Sequence, residues 1–348
     1  MIEIVEKSIW VQSREDLNFP HVASYGEDRF GLFFSRGRHS VMEWPHYLLS
    51  EDGCRTWRDD ASAFRLTQRA CPYFLYPHLK LRDGTLMALT LKRRPDGIAG
   101  VLELTSSDAG RTWCEAWRPI DCSAVAVYAD HTPIGLAMWG PVLELGDGRL
   151  YALGYTHATS EADTARHQRV ILLERRTNET TWREKSVVFR DQADMREGVN
   201  ETSIAQLDGS RIVAVCRTGY PDSPMRWAHS DDGGRTWSDA QKLPWSAVFP
   251  VLYIMGDGTL VMIFGARRQD KLHGALTAVA SKDGGEAWGQ PLVVFDGPGS
   301  CYHYGAKLGP EELLVPYANS QFRRPELPQF TKRGVYNQIC AVRLHLRS

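Results

Sequence analysis

The sequence lacks most of the features that would place it at a glance. It has no apolar run approaching the ~20 residues of a membrane helix. Its opening stretch, M-I-E-I-V-E-K-S-I-W-V, shows neither a long apolar segment nor a small-residue cleavage site. The expectation is a cytoplasmic protein with no membrane partner. The seven cysteines, Cys54, Cys71, Cys114, Cys122, Cys216, Cys301 and Cys340, are odd in number, scattered and without a C-x-x-C pair. That pattern points to reduced, mostly buried thiols rather than a disulfide frame or a zinc site. No H-E-x-x-H or comparable cluster calls for a metal, and no cofactor is expected. Charge of one sign is missing too: 41 basic residues face 42 acidic ones, a net charge of −1, which gives no reason to expect nucleic acid as a partner. Sustained helical periodicity is also absent.

What the chain has instead is repetition. S-E-D-G-C-R-T-W at Ser50–Trp57 recurs as S-S-D-A-G-R-T-W at Ser106–Trp113, S-D-D-G-G-R-T-W at Ser230–Trp237 and S-K-D-G-G-E-A-W at Ser281–Trp288. A worn copy, R-R-T-N-E-T-T-W at Arg175–Trp182, keeps only the final Thr-Trp. A period near 50 residues marks repeated supersecondary units such as propeller blades. The Asp carboxylate can accept backbone N–H groups across the turn, and Gly supplies positive φ. Cys54 stands where the other copies have Gly, so strain is expected there. The Trp is expected to pack each turn onto its own unit.

Between the turns lie apolar hairpins around Asp-Gly: Tyr76–Leu91, Pro141–Gly154, Ser203–Val215 and Phe249–Phe264. Each is followed by a third strand, the turn and a short fourth strand, which is one propeller blade. Tyr302–Leu308, Glu312–Tyr317 and Val335–Leu346 supply three strands of a last unit, and Ile2–Val11 can provide the fourth. The reading is an all-β, six-bladed β-propeller with four-stranded antiparallel blades. A single domain, 1–348, is closed by the N-terminal strand, with inner strands starting near 18, 75, 140, 200, 249 and 302. The 43% hydrophobic content is enough for such a core. Eleven Trp and thirteen Tyr serve blade cores or stack on sugars.

The repeated turns are Asp boxes (BNR repeats), and a six-bladed propeller carrying them resembles the sialidase (neuraminidase) superfamily across essentially the whole chain. The resemblance implies an exo-glycoside hydrolase with an acidic sugar as its carbohydrate partner. In that family three arginines grip the substrate carboxylate, a Tyr–Glu pair provides the nucleophile, and an Asp is acid/base. Guanidinium forks suit a carboxylate, and a phenol of pKa ~10 needs a neighbouring base to become nucleophilic. N-E-T-S-I-A-Q-L-D-G-S-R-I-V-A-V-C-R resembles the family hairpin carrying that glutamate and an arginine, here Glu201 and Arg217. S-C-Y-H-Y-G-A-K-L offers Tyr302 as nucleophile, with Tyr304 as the alternative register. V-M-I-F-G-A-R-R ends on Arg267 and Arg268, of which Arg267 is the candidate for carboxylate binding.

The chain departs from the family where Arg-Ile-Pro should open the first blade. It reads Asn18-Phe19-Pro20, so the first arginine is missing and Arg36 or Arg38 would have to substitute. No Asp precedes the first turn at the acid/base place, and Glu43 is the earlier carboxylate available. Histidines offer a different chemistry. F-P-H and Y-P-H put His21 and His78 at matching inner-strand positions, with His303 expected nearby and His39, His46 and His157 in segments that could reach the rim. Imidazole is a good acid or base near neutral pH. The alternatives are therefore a polysaccharide or oligosaccharide lyase, a rhamnosidase-type enzyme, and a non-catalytic glycan-binding propeller.

Overall fold

The computed structural model describes residues 1–38, 41–59, 79–93, 99–122, 137–138, 142–155, 168–195, 197–219, 223–268, 271–297, 302–319 and 337–347. Among these residues every regular element is a strand, and no helix is present that could cross a membrane. The chain begins with β1 (Ile2–Ser13). It then forms an antiparallel sheet in chain order from β2 (Leu17–Gly26), β3 (Arg29–Arg38), β4 (Val41–Ser50) and β5 (Arg58–Asp59). The next nine strands share one sheet. One half holds β6 (Leu79–Lys80), β7 (Leu86–Arg93), β8 (Ala99–Ser106) and β9 (Cys114–Asp121). The other holds β10 (Ala137–Met138), β11 (Leu143–Glu144), β12 (Arg149–Tyr155), β13 (Arg169–Arg176) and β14 (Trp182–Arg190).

Two more four-stranded sheets follow in chain order. They are β15 (Asn200–Asp208), β16 (Arg211–Arg217), β17 (Arg226–Ser230) and β18 (Gln241–Lys242), then β19 (Ala247–Ile254), β20 (Leu260–Arg268), β21 (Lys271–Ser281) and β22 (Leu292–Phe295). The last sheet takes β23 (Ala306–Lys307), β24 (Glu312–Asn319) and β25 (Asn337–Leu346), and β1 completes it antiparallel to β25. The N-terminal strand thus joins the C-terminal one, as the sequence predicts.

The nine-stranded sheet differs from the expectation of separate four-stranded units. Its halves are each antiparallel but meet through two parallel pairs, Trp182–Ile120 and Arg183–Asp121, between the outer strands β14 and β9. The sheets touch in a cycle: β2 meets β6, β7 meets β10, β12 meets β15, β15 meets β19, β21 meets β1, and β24 meets β2. Packing on both faces explains strands such as Ile212–Cys216, where five successive residues are buried. At the hairpins the Asp-Gly pairs do what their chemistry allows. Asp83 accepts the Thr85 N–H at 2.8 Å, and Gly84 takes φ +88°.

The repeated turn has one geometry in all four copies. In the first, Asp52 accepts the N–H of Thr56 (2.9 Å), the Thr56 hydroxyl (2.6 Å) and the Ser50 hydroxyl (2.9 Å), while Ser50 Oγ accepts the Cys54 N–H. Asp108 and Asp232 repeat these roles, and Asp283 repeats all but one, because Ala287 has no hydroxyl to give it. The fourth and fifth positions both need positive φ, and Cys54 (+70°) and Ala109 (+57°) adopt it without being glycine.

The tryptophans correct the sequence reading, because they reach back to the preceding sheet rather than their own. Trp113 lies against Phe33 and Tyr47, Trp57 against Trp10 of β1 (5.0 Å), and Trp237 Nε1 donates to Ser186 Oγ of β14 at 3.1 Å. Hydroxyls of the preceding sheet answer: Tyr47 donates to Gly110 O and Tyr151 to Gly233 O. Each turn is an inter-sheet staple, which is why a multi-sheet ring repeats it. In the worn copy, fully buried Trp182 joins the core of the preceding half, and Arg175 replaces the serine. The Arg175 guanidinium binds Glu103 of β8 at 2.5 Å and the Glu179 carbonyl at 2.7 Å.

Candidate active site

At one end of the β15–β16 hairpin, Asn200 pairs with Arg217, and the register shifts before Thr202. Glu201 is the residue in that bulge. A bulge re-aims a side chain out of the alternating pattern, and here the carboxylate is buried (5% exposed). Its Oε2 accepts the backbone N–H of Phe249, in the first strand of the next sheet, at 3.0 Å. Its Oε1 accepts the Tyr302 hydroxyl at 2.5 Å and Arg217 Nη1 at 2.9 Å. Arg217 Nη1 also lies 3.3 Å from Tyr302 Oη. Two residues of one hairpin and a tyrosine 101 positions from the first of them therefore meet at one point.

Tyr302 is placed by backbone rather than by its own sheet. The expected strand from Tyr302 to Leu308 shortens to β23, and residues 302–305 run beside β2 instead. Tyr304 N donates to Pro20 O (3.1 Å) and Val22 N to Tyr304 O (2.9 Å). Gly305 permits the close pass, since a Cβ there would sit 2.3 Å from Leu314 O. Two phenylalanines bracket the Tyr302 ring, Phe19 at 4.7 Å and Phe249 at 5.1 Å between centroids. Both belong to Phe-Pro pairs at register shifts, and both hold positive φ, +54° and +48°. Strained backbone of this kind costs about 1–3 kcal/mol per residue and clusters where function demands it.

The electrostatics follow from burial and contact. Burial raises the Tyr302 pKa well above 10, the Glu201 charge adds to that, and Arg217 only partly offsets them. The phenol is thus protonated near neutral pH and points its proton at Glu201. Burial disfavours the Arg217 charge, but Glu201, Tyr302 and Glu197 outweigh it and raise its pKa, so the guanidinium remains charged.

Glu197 is the member that sequence reasoning missed. Its Oε2 accepts Arg217 Nη2 at 2.6 Å, and its backbone N–H donates to Thr218 O. It precedes the strand in a bend where Gly198 takes φ +68°, and only its spacing four residues before Glu201 could have flagged it.

The other candidates scatter. His21, His303 and Tyr304 form a neighbouring group around Phe249: His21 stacks on it at 6.4 Å, His303 meets it edge-on at 5.9 Å, and Tyr304 lies 6.4 Å from His21. Both histidines are buried, at 5% and 0% exposed. Arg36 pairs across from Leu17, rests over Phe34 and sits 4.0 Å from Glu15. Asn18, at the place of the missing arginine, is fully buried. His46 stacks on Phe34. Arg38 and Glu43 lie on β3 and β4, and Arg267 lies on β20, with their side chains outside the described residues. His39, His78 and His157 lie wholly outside them. No group of three potential metal ligands occurs among the described residues.

Comparison with known proteins places the chain in a family. Residues 72–312 match the model of the BNR repeat-like domain. No curated protein matches the chain by sequence. Among solved structures, a protein of unknown function from Dyadobacter fermentans is 19% identical with a TM-score of 0.72, covering 99% of both chains. The α-L-arabinofuranosidase of Fusarium graminearum, solved with arabinobiose, is 14% identical with a TM-score of 0.63, covering 98% of both. The NanB sialidase of Streptococcus pneumoniae is 12% identical with a TM-score of 0.62, covering 97% of this chain and 70% of that one. The chain belongs to the BNR repeat-like domain family, and it shares its fold with the arabinofuranosidase and sialidase structures.

Proposed function

We propose that the cycle of sheets is a six-bladed propeller and that the chain is a glycoside hydrolase with Tyr302 as nucleophile and Glu201 as its base. The observation that carries this reading is the 2.5 Å hydrogen bond from the Tyr302 hydroxyl to Glu201, with Arg217 3.3 Å from the same oxygen. A phenol of pKa above 10 is less than about 0.1% ionised at pH 7. Attack must therefore be concerted with proton transfer to Glu201. The Tyr302 oxygen bonds to the anomeric carbon as the bond to the leaving oxygen breaks, and Glu43 is the proposed donor of the proton that oxygen takes up. Water then attacks the same carbon, giving its proton to the Glu43 carboxylate, and Tyr302 departs, recovering its proton from Glu201. Two displacements retain the anomeric configuration. Arg217 fixes Glu201 and stabilises the phenolate charge as it develops.

The resemblance to sialidases implies an acidic sugar. The similar structures divide on this point, one being a sialidase and another an arabinofuranosidase seen with arabinobiose. The test is a panel of aryl glycosides, sialosides and uronate polymers, read by released aglycone and by absorbance near 235 nm. Release of a monosaccharide is expected, with kcat/KM falling about 10²–10⁴-fold in Glu201→Gln and further in Tyr302→Phe. An unsaturated uronate would indicate a lyase instead. Silence on every substrate with glycan binding intact would leave a binding protein.

A further inference from the structure

We propose that the saccharide accepted beside Tyr302 carries no carboxylate, and that Glu197 sets this preference by occupying the side of Arg217 that an acidic sugar would need. This rests on the carbohydrate reading above and narrows it. The donors of Arg217 are largely committed already. Guanidinium has five N–H groups, and a bidentate grip on a carboxylate uses two parallel ones. Nη1 directs its two at Glu201 (2.9 Å) and Tyr302 (3.3 Å). Nε is buried without a partner. Nη2 gives one N–H to Glu197 at 2.6 Å. Two N–H groups remain, and with Nε buried only the second N–H of Nη2 is left for a ligand, too few for a fork.

Charge acts in the same direction. Glu197 and Glu201 bring two carboxylates to one guanidinium, so the cluster around Tyr302 carries an excess of one negative charge. A like charge entering within a few ångströms of a half-buried site is repelled, whereas the positive charge that develops at the anomeric carbon during glycoside cleavage is favoured. The remaining described candidates do not reverse this. Asn18 brings no charge and is fully buried, and Arg36 faces Glu15 and Phe34. Glu197 is 38% exposed against 13% for Arg217, so it forms the solvent side of the pair, where a ligand arrives.

The experiment is a binding titration of the full-length chain, independent of turnover. Glucuronate, galacturonate and N-acetylneuraminate are compared with glucose, galactose and arabinose by calorimetry, in wild type and in Glu197→Gln. The wild type is expected to bind none of the three acids at millimolar concentration. Glu197→Gln, which removes the charge and leaves only a neutral amide oxygen to compete for the Nη2 donor, is expected to gain at least tenfold in affinity for an acid. Glu197→Asp, which keeps the charge, is the control and should gain less. A thermal melt of each variant confirms folding. Tight binding of any acid by the wild type overturns the proposal, and so does a Glu197→Gln variant that gains no acid affinity. If the variant gains acid binding but no uncharged sugar binds or is cleaved, the charge argument stands and the hydrolase reading falls.

Discussion

Removing the charge of Glu103 is expected to destabilise the fold by about 3 kcal/mol, at the lower end of the range for breaking a buried ion pair. Glu103 on β8 and Arg175 on β13 are 3% and 2% exposed and join the two halves of the long sheet at 2.5 Å. The same carboxylate accepts Arg118 Nε at 3.2 Å and Nη2 at 3.1 Å. Glu103→Gln leaves one acceptor oxygen for two guanidinium groups and turns an amide N–H₂ toward the other. Arg118 is 25% exposed and can turn to water. Arg175 cannot, and keeps the Glu179 carbonyl, a long 3.5 Å bond to the Arg176 carbonyl and the face of Trp182, 5.2 Å away. Those contacts satisfy part of its donors without supplying a counter-charge, which argues for the lower end of the range.

With an unfolding entropy near 2.1 cal/mol/K per residue, 348 residues give about 0.7 kcal/mol/K, so 3 kcal/mol lowers Tm by about 4 °C. Calorimetry and urea titration measure it. The double variant Glu103→Leu with Arg175→Met should recover most of the loss, because apolar replacement of both partners removes the unpaired charge. A Tm shift below about 1 °C in Glu103→Gln, or a double variant worse than the single, would refute the reasoning.

Two further outcomes concern the repeated turn. Ala109→Gly should raise stability by about 0.5–1 kcal/mol, since the left-handed conformation costs an L-residue about 1–2 kcal/mol and glycine gives part of that back through its freer unfolded chain. The other three copies have glycine at this position, at φ +70°, +70° and +76°; a thermal melt decides it. In acid, the Thr56 hydroxyl and N–H hold the Asp52 pKa down at about 2, below its ordinary 3.8. A depressed carboxylate stabilises the fold above its unfolded value and loses that contribution as pH falls. Tm should therefore drop between pH 4 and pH 2, and less so in Asp52→Asn, whose starting stability is lower.

The repeated octapeptide made the sheets legible, because its Ser-Asp-Gly-Thr chemistry is local and closes within eight residues. The direction of its tryptophans was not legible. Trp113 and Trp237 find their partners in the preceding sheet, and no spacing along the chain says which neighbour a ring will reach. The site shows the same division. Glu201 and Arg217 could be paired from one hairpin, since antiparallel strands bring start and end together. Tyr302 was placed by resemblance, although its strand was not, because residues 302–305 bond to β2 across the seam between the last and first sheets. Phe-Pro at 19–20 looked like half of a histidine motif, yet its structural counterpart is Phe249-Pro250, with valine where the histidine stood. Glu197 was invisible because an acidic residue in a bend has no periodicity to betray it.

The measurement closest to the central claim is a trapping experiment with the 2-deoxy-2-fluoro glycosyl fluoride of whichever sugar the chain releases. Such a reagent lets the first displacement proceed and slows the second. Intact mass should rise by one fluoroglycosyl unit, and peptide mapping should place it on Tyr302, with no label in Tyr302→Phe and slowed labelling in Glu201→Gln. A label on Glu201 or another carboxylate, or turnover with inverted configuration and no label, would contradict the account.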